Sequence, residues 1–192
     1  IGVTGVQTCA LPILAYSGGS AVIPIHPTCF LNKGNRNFEL NKQIFKNFSQ
    51  ASDNYYTVEL FDINGDGNLD LFLGSSKTLR VIPSSNGIYD RAKAINFQVD
   101  STLELMDIAF LDFDFDGRVD ILTMSNKAGY NGYGLRLYLN KETGFIESTK
   151  NYFDVTDELG NGAWIKWIRL FDYDVDGDID VVGDGLFGKR IG

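Results

Sequence analysis

The chain has 192 residues, a formal net charge of −8 at pH 7, and 44% hydrophobic and 13% aromatic residues. This composition is typical of a globular protein rather than a disordered one. The negative charge and the lack of a Lys/Arg run argue against a nucleic-acid partner, and no apolar run in the sequence approaches the roughly 20 residues of a membrane helix.

The first residues of the chain have an unusual sequence. Residues 3–13 read VTGVQTCALPI, which one frame of a common sequencing adapter would encode. We therefore expect residues 1–13 to be a non-native segment, and we exclude them from fold prediction. The alternative is a genuine apolar strand or the end of a signal peptide. With that segment removed, Cys29 stands alone, which leaves no basis for a disulfide or a zinc site.

An acidic nine-residue pattern occurs three times in the chain. The pattern Asp-x-Asp/Asn-x-Asp-Gly-x-x-Asp begins at Asp62, Asp112 and Asp172, so its copies are 50 and 60 residues apart. A period of this length predicts a propeller or a solenoid with one supersecondary unit per repeat.

The segments around each acidic loop predict strands. Apolar residues alternate in the run before each loop, at 55–62, 105–112 and 165–172, and a short apolar run follows each loop at 69–74, 119–124 and 179–184. Period-two patterns rich in β-branched and aromatic residues are typical of strands. Each loop is therefore predicted to be the tip of a β-hairpin.

A third strand, a glycine-containing turn and a fourth strand also recur, in 29–38, 79–89 and 135–145. Four short strands in 50 to 60 residues match the size of a propeller blade. We predict an all-β fold, a partial β-propeller of four-stranded blades. Its units are the outer half of a blade at 14–50, complete blades at 51–100 and 101–150, and the inner half of a blade at 151–192. Since the pattern stops within a blade, we expect an internal fragment of a longer protein.

The three loops carry the residues of a hard-cation site. Side-chain oxygens stand at positions 1, 3, 5 and 9, the backbone carbonyl at position 7 would complete the set, and glycine at position 6 permits a sharp turn. The predicted ligands are Asp62, Asn64, Asp66, Asn68 and Asp70 in the first loop, Asp112, Asp114, Asp116, Arg118 and Asp120 in the second, and Asp172, Asp174, Asp176, Asp178 and Asp180 in the third.

Calcium is the ion that this composition favours, with about three ions in the chain. Three or four carboxylates in one loop repel each other unless a divalent ion neutralises them. Magnesium prefers fewer carboxylates and retained waters, whereas transition metals prefer His or Cys. The alternative is that Asp, Asn and Gly only form turns. An EF-hand is excluded because position 12 is Leu73, Thr123 or Gly183 and the flanking segments are strands.

The repeated segments FDINGDGNLDLFLG, LDFDFDGRVDILTM and FDYDVDGDIDVVGD resemble FG-GAP and VCBS-type repeats. The resemblance extends from about Cys29 to Gly192. It implies a six- to eight-bladed propeller of the integrin α-subunit type, with structural calcium between the first two strands of each blade, in cell-surface or secreted proteins. Gly74 is followed by Ser75 and Ser76, which favours the broader bacterial-type repeat.

These features predict a calcium-binding module outside the cytosol, at the cell surface, secreted or periplasmic. We expect it to be non-catalytic and to bind a carbohydrate or protein ligand on the propeller face, as in adhesion. Trp164 and Trp167 have odd spacing, so at most one of them is expected to stack on a sugar. His26 is the only imidazole, and no catalytic triad motif accompanies it. The alternative is the propeller of a polysaccharide-active enzyme whose catalytic residues lie elsewhere.

Overall fold

A computed structural model of the chain describes residues 9–10, 27, 29–48, 55–76, 78–98, 103–127, 132–153, 157–159 and 165–183. The described strands are, in chain order, β1 (Cys9–Ala10), β2 (Cys29–Asn32), β3 (Phe38–Asn41), β4 (Phe45–Lys46), β5 (Tyr55–Phe61), β6 (Asp70–Ser75), β7 (Thr78–Ile82), β8 (Ser84–Ser85), β9 (Ile88–Asp90), β10 (Ile95–Gln98), β11 (Leu103–Leu111), β12 (Asp120–Lys127), β13 (Gly132–Lys141), β14 (Gly144–Glu147), β15 (Asp157–Leu159), β16 (Ile168–Phe171) and β17 (Asp180–Gly183). Two short 3-10 helices span Arg91–Lys93 and Thr149–Asn151, and the described residues contain no α-helix. The predicted all-β fold is confirmed.

Two antiparallel meanders form the centre of the described structure. The first sheet has the order β10-β7-β6-β5, and the second has the order β11-β12-β13-β14, with β15 also pairing with β13. β16 and β17 form a further hairpin, while β1-β2-β3 and β4-β9-β8 form two small sheets. The strands of the first meander lie within 51–100 and β11 to β14 lie within 101–150, where the sequence predicts the two blades.

The first meander is buried on both faces. Leu71, Phe72 and Leu73 follow one another in β6 and are all fully buried. Phe72 packs against Leu105 and Ile121 of the second sheet, whereas its two neighbours pack in a separate cluster on the opposite face. A continuous apolar strand is typical of a sheet that is covered on both sides. The sheet therefore lies between two other layers rather than at the surface.

The second meander repeats this arrangement. Ile121 of β12 faces the first sheet, whereas Leu122 and Met124 pack with Ile165 and Ile168, which lie beside and within β16. The sheets thus stack face to face in chain order, and β5, β11 and β16, the first strands of successive units, lie next to one another. This stacking is the arrangement of a partial propeller-like fold.

The fourth strand of the first meander differs from the sequence prediction. The strand after the Asn86–Gly87 turn is β9, which pairs with β4 and β8 in a small separate sheet. The fourth strand of the meander is β10 instead. Pro83 follows β7 directly and has no N–H to donate, so the ladder to β6 ends at Ile82 and the chain leaves the sheet.

Cys29 also differs from its prediction. It is fully buried at the start of β2 and is disulfide-bonded, so the expectation that it stands alone is wrong. The physical reason is that β1 and β2, the strands that carry the two cysteines of the chain, pair as antiparallel neighbours. Apart from β1, the segment predicted to be non-native lies outside the described residues.

Candidate metal centre

Each acidic loop closes a hairpin, as the sequence predicts. The loops join β5 to β6, β11 to β12 and β16 to β17, and the last strand pair before each loop is formed by Phe61 and Asp70, Leu111 and Asp120, and Phe171 and Asp180. The acidic side chains are therefore held at the ends of paired strands.

The carboxylate at position 1 organises each loop in the same way. In the first loop Asp62 accepts the backbone N–H of Asp66 at 3.1 Å through one oxygen and that of Gly67 at 2.8 Å through the other. The corresponding distances are 3.0 and 2.8 Å at Asp112, and 3.1 and 3.0 Å at Asp172. One backbone conformation therefore recurs in all three loops.

Glycine at position 6 makes this conformation possible. The φ angles of Gly67, Gly117 and Gly177 are 83°, 87° and 101°, in the left-handed region that glycine adopts without steric cost. The predicted sharp turn is confirmed in every loop.

Position 5 is oriented by the residue two places further along the chain. Asp66 Oδ1 accepts the backbone N–H of Asn68 at 2.8 Å, and the second and third loops make the same bond at 2.9 Å. The N–H of Asn68 is the main reason that the pKa of Asp66 lies below its ordinary value. The charged form of Asp66, which is the form that a cation requires, is thus favoured.

Carboxylate oxygens converge in the second and third loops. One oxygen from each of Asp112, Asp114 and Asp116 lies within 4.8 Å of the other two, and the set formed by Asp172, Asp174 and Asp176 meets the same limit. Calcium lies 2.3–2.6 Å from its oxygen ligands, so two ligands on opposite sides of one ion are about 5 Å apart. Both sets therefore have the dimensions of a single calcium site. The first loop has an amide, Asn64, at position 3.

Position 9 ties the loop to the rest of its sheet. Asp70 and Asp120 are fully buried. The oxygens of Asp120 accept the backbone N–H groups of Phe113 at 2.8 Å and of Asn140, in the third strand, at 2.7 Å. Asp70 makes the equivalent bonds at 3.3 and 2.9 Å. Burial raises the pKa of both carboxyl groups above the ordinary value, and a divalent ion nearby would oppose that shift.

The predicted ligands thus fall into distinct groups. The structure brings positions 1, 3 and 5 together in the second and third loops and gives position 9 a structural role in addition to the predicted one. The carbonyl oxygens of Asn68, Arg118 and Asp178 stay predicted ligands.

Two cations near the second loop were not foreseen from the sequence. Lys141 Nζ donates to the carboxylates of Asp114 and Asp116, and Arg118 Nη2 donates to Asp116 at 2.5 Å. The bond from Lys141 is the main cause of the lowered pKa of Asp116. Lys141 is 25 residues away from Asp116 in sequence, so no local pattern could have revealed this contact.

Of the two tryptophans, Trp164 lies outside the described residues. Trp167 is half-buried, and the guanidinium of Arg169 lies 5.3 Å from the centroid of its ring. Its role as a sugar platform stays a prediction. Among the described residues no helix is long and apolar enough to cross a membrane.

In a comparison with known protein families, residues 62–123 match the family described as FG-GAP-like repeat. The matched segment begins at position 1 of the first loop and extends into β12, so it contains the first two acidic loops. No curated protein matches the chain. The match, together with the stacked antiparallel sheets, shows a β-propeller-like repeat module. Residues 62–123 are therefore identified, by this similarity, as an FG-GAP-like repeat segment.

Proposed function

We propose that the three loops bind calcium and that the chain acts outside the cytosol as a non-catalytic module, which binds a carbohydrate or protein ligand on the propeller face. The observation that carries the proposal is the threefold recurrence of one loop geometry, with the same two bonds to position 1 and the same left-handed glycine. Turn formation alone needs neither three acidic side chains nor their convergence on one point.

The donor set favours calcium over other ions. All side-chain donors at positions 1, 3, 5 and 9 are carboxylate or amide oxygens, and the described loops contain no His or Cys. Calcium accepts six to eight oxygens in flexible geometry, whereas magnesium requires a strict octahedron and retains waters. Three bound ions would change the formal charge of the chain from −8 to −2.

The proposed location follows from the ion. Extracellular calcium modules bind with affinities of about 10⁻⁴ to 10⁻³ M, and such sites fill only where calcium is millimolar. A module that depends on them for stability would therefore work at the cell surface, in the periplasm or in the medium. Adhesion or ligand capture is the role that we propose for its exposed face.

Calcium titration calorimetry of the chain, combined with thermal melts in calcium and in chelator, tests the proposal. We expect saturable binding and a higher melting temperature in calcium, because a ligand that binds only the folded state stabilises it. Asp176→Asn should remove about one ion, whereas Glu39→Gln, which changes an exposed carboxylate in β3 outside the three loops, should remove none. A folded chain that takes up no calcium would reject the proposal.

The ligand-binding part needs a separate measurement. The chain would be applied to a glycan array and to immobilised extracellular-matrix proteins, in calcium and in chelator. We expect binding that is lost in chelator, because the loops hold the hairpins on which the exposed face depends. Calcium uptake without any ligand on either surface would leave a structural spacer as the better description.

A further inference from the structure

The side chain of Lys141 occupies the second acidic loop. It reaches the loop from the end of β13, and its Nζ donates to Asp114 Oδ2 and to Asp116 Oδ2. These two carboxylates stand at positions 3 and 5, where the proposed function places calcium. The ammonium of Lys141 therefore contacts two of the proposed calcium ligands directly.

A second cation strengthens this arrangement. Arg118 Nη2 donates to Asp116 at 2.5 Å, and its Nε donates to the carbonyl oxygen of Asn140, the residue before Lys141, at 2.7 Å. Arg118 therefore joins the loop to the same end of β13 from which the lysine extends. Two positive side chains thus contact one loop.

The first loop contains a counterpart of Lys141 without the charge. The backbone N–H of Ser84 donates to Asp70 as that of Asn140 donates to Asp120. The next residue in each case closes a two-residue turn: Ser85 pairs with Ile88, and Lys141 pairs with Gly144. Ser85 therefore takes the place of Lys141 in the first unit. The position beside the first loop thus carries a hydroxyl group instead of an ammonium group.

We propose that Lys141 is a built-in cation that competes with calcium for the second loop, so that this loop binds calcium more weakly than the first loop. The inference rests on the proposed function, because it concerns the same three loops. An ammonium is a compact charge with three donors, and calcium must replace it at two of the carboxylates before it can collect its oxygens. When calcium is scarce, the lysine holds the second loop against β13.

The first test is calcium calorimetry on four proteins. The wild-type chain should show at least one tighter site and one site at least about tenfold weaker, since charge-assisted hydrogen bonds must be broken at the weaker site. Lys141→Ser should raise the affinity of the weak site, and Ser85→Lys should weaken the tighter site of the first loop. Lys150→Ser removes an exposed lysine outside the loops and should leave the binding curve unchanged.

The second test is the sign of the stability change. In chelator, Lys141→Ser should lower the melting temperature, because it removes one of the two counter-charges beside the carboxylates of the second loop. In saturating calcium, the same substitution should raise the melting temperature or leave it unchanged. If Lys141→Ser does not fold, the two affinity classes of the wild-type chain and the effect of Ser85→Lys still test whether Lys141 competes with calcium.

The outcomes separate the two proposals. Three equal sites in the wild-type chain, unaffected by Lys141→Ser, would overturn the role of Lys141 while calcium binding stands. No calcium uptake by the folded wild-type and Lys141→Ser proteins would overturn the proposed function, and the inference with it.

Discussion

Single residues decide how easily each loop adopts its shared conformation. Position 4 has a positive φ in all three loops: 71° at Gly65, 57° at Phe115 and 63° at Val175. A β-branched residue in this region is a genuine outlier, and the left-handed conformation costs a side-chain-bearing residue about 1–2 kcal/mol. The third loop is therefore folded against the backbone preference of one of its own residues.

Val175→Gly should stabilise the protein by about 1 kcal/mol, because glycine relieves the strain while losing more entropy on folding. Val175 is 85% exposed, so little packing is lost. Chemical denaturation at fixed calcium measures the change in unfolding free energy. The reciprocal change, Gly65→Val, should cost a similar amount. A loss of stability in Val175→Gly would show that the valine side chain makes a contribution larger than its strain.

Within one hairpin, positions of the same chemical type have different roles. Asp120 is fully buried and holds two backbone N–H groups, one from its own loop and one from the third strand. Asp174 is exposed and belongs to the converging oxygens of the third loop. We therefore expect Asp120 to stabilise the hairpin whether or not an ion is bound. We expect Asp174 to contribute to stability only as a ligand of the bound ion.

Asp120→Ala should lower the unfolding free energy by about 3 kcal/mol even in chelator, because it leaves two partly buried N–H groups without an acceptor. Asp174→Ala should change stability in chelator by less than about 0.5 kcal/mol, as exposed substitutions usually do, but should reduce the stabilisation by calcium. Denaturation curves of both variants with and without calcium check this contrast. Equal losses in chelator would contradict the division of roles.

At the scale of the whole molecule, the sheets are joined by close packing and by buried polar bridges. Asn126, fully buried in β12, donates to the carbonyl oxygen of Ile165 at 2.7 Å and accepts its N–H at 3.1 Å. Asp107 in β11 accepts the N–H of Ile168 at 2.8 Å and an N–H of Arg169 at 2.9 Å. These bonds fix the distance between the second sheet and the following hairpin.

Gly74 shows how tightly the first two sheets approach each other. A Cβ at this position would collide with Leu105 Cδ2 of the second sheet and would lie 2.5 Å from Thr57 Cγ2. Gly74→Ala should therefore cost about 2 kcal/mol by overpacking. Thermal or chemical denaturation of Gly74→Ala, Leu105→Val and the double variant forms a cycle in which the double variant should recover part of the loss. Strict additivity would mean that Leu105 does not cause the collision.

The sequence by itself determined the features that depend on local, repeated patterns. The period-two runs before and after Asp62, Asp112 and Asp172 predicted the paired strands, and the glycine at position 6 predicted each sharp turn. These predictions hold because strand alternation and left-handed turns are decided within a few residues. Pro83, which ends the pairing of β7 with β6, is an equally local signal. The sequence prediction nevertheless placed the fourth strand of this sheet after the Asn86–Gly87 turn, where β9 lies in a separate sheet.

The tertiary structure decided everything that depends on distant parts of the chain meeting. The contact of Lys141 with Asp116 spans 25 residues, and that of Asp107 with Arg169 spans 62. Whether a loop faces a lysine or a serine depends on where β13 or β8 ends beside it, and whether Gly74 has room for a side chain depends on the neighbouring sheet. Such contacts follow from the packing of one sheet on another, which no local periodicity encodes.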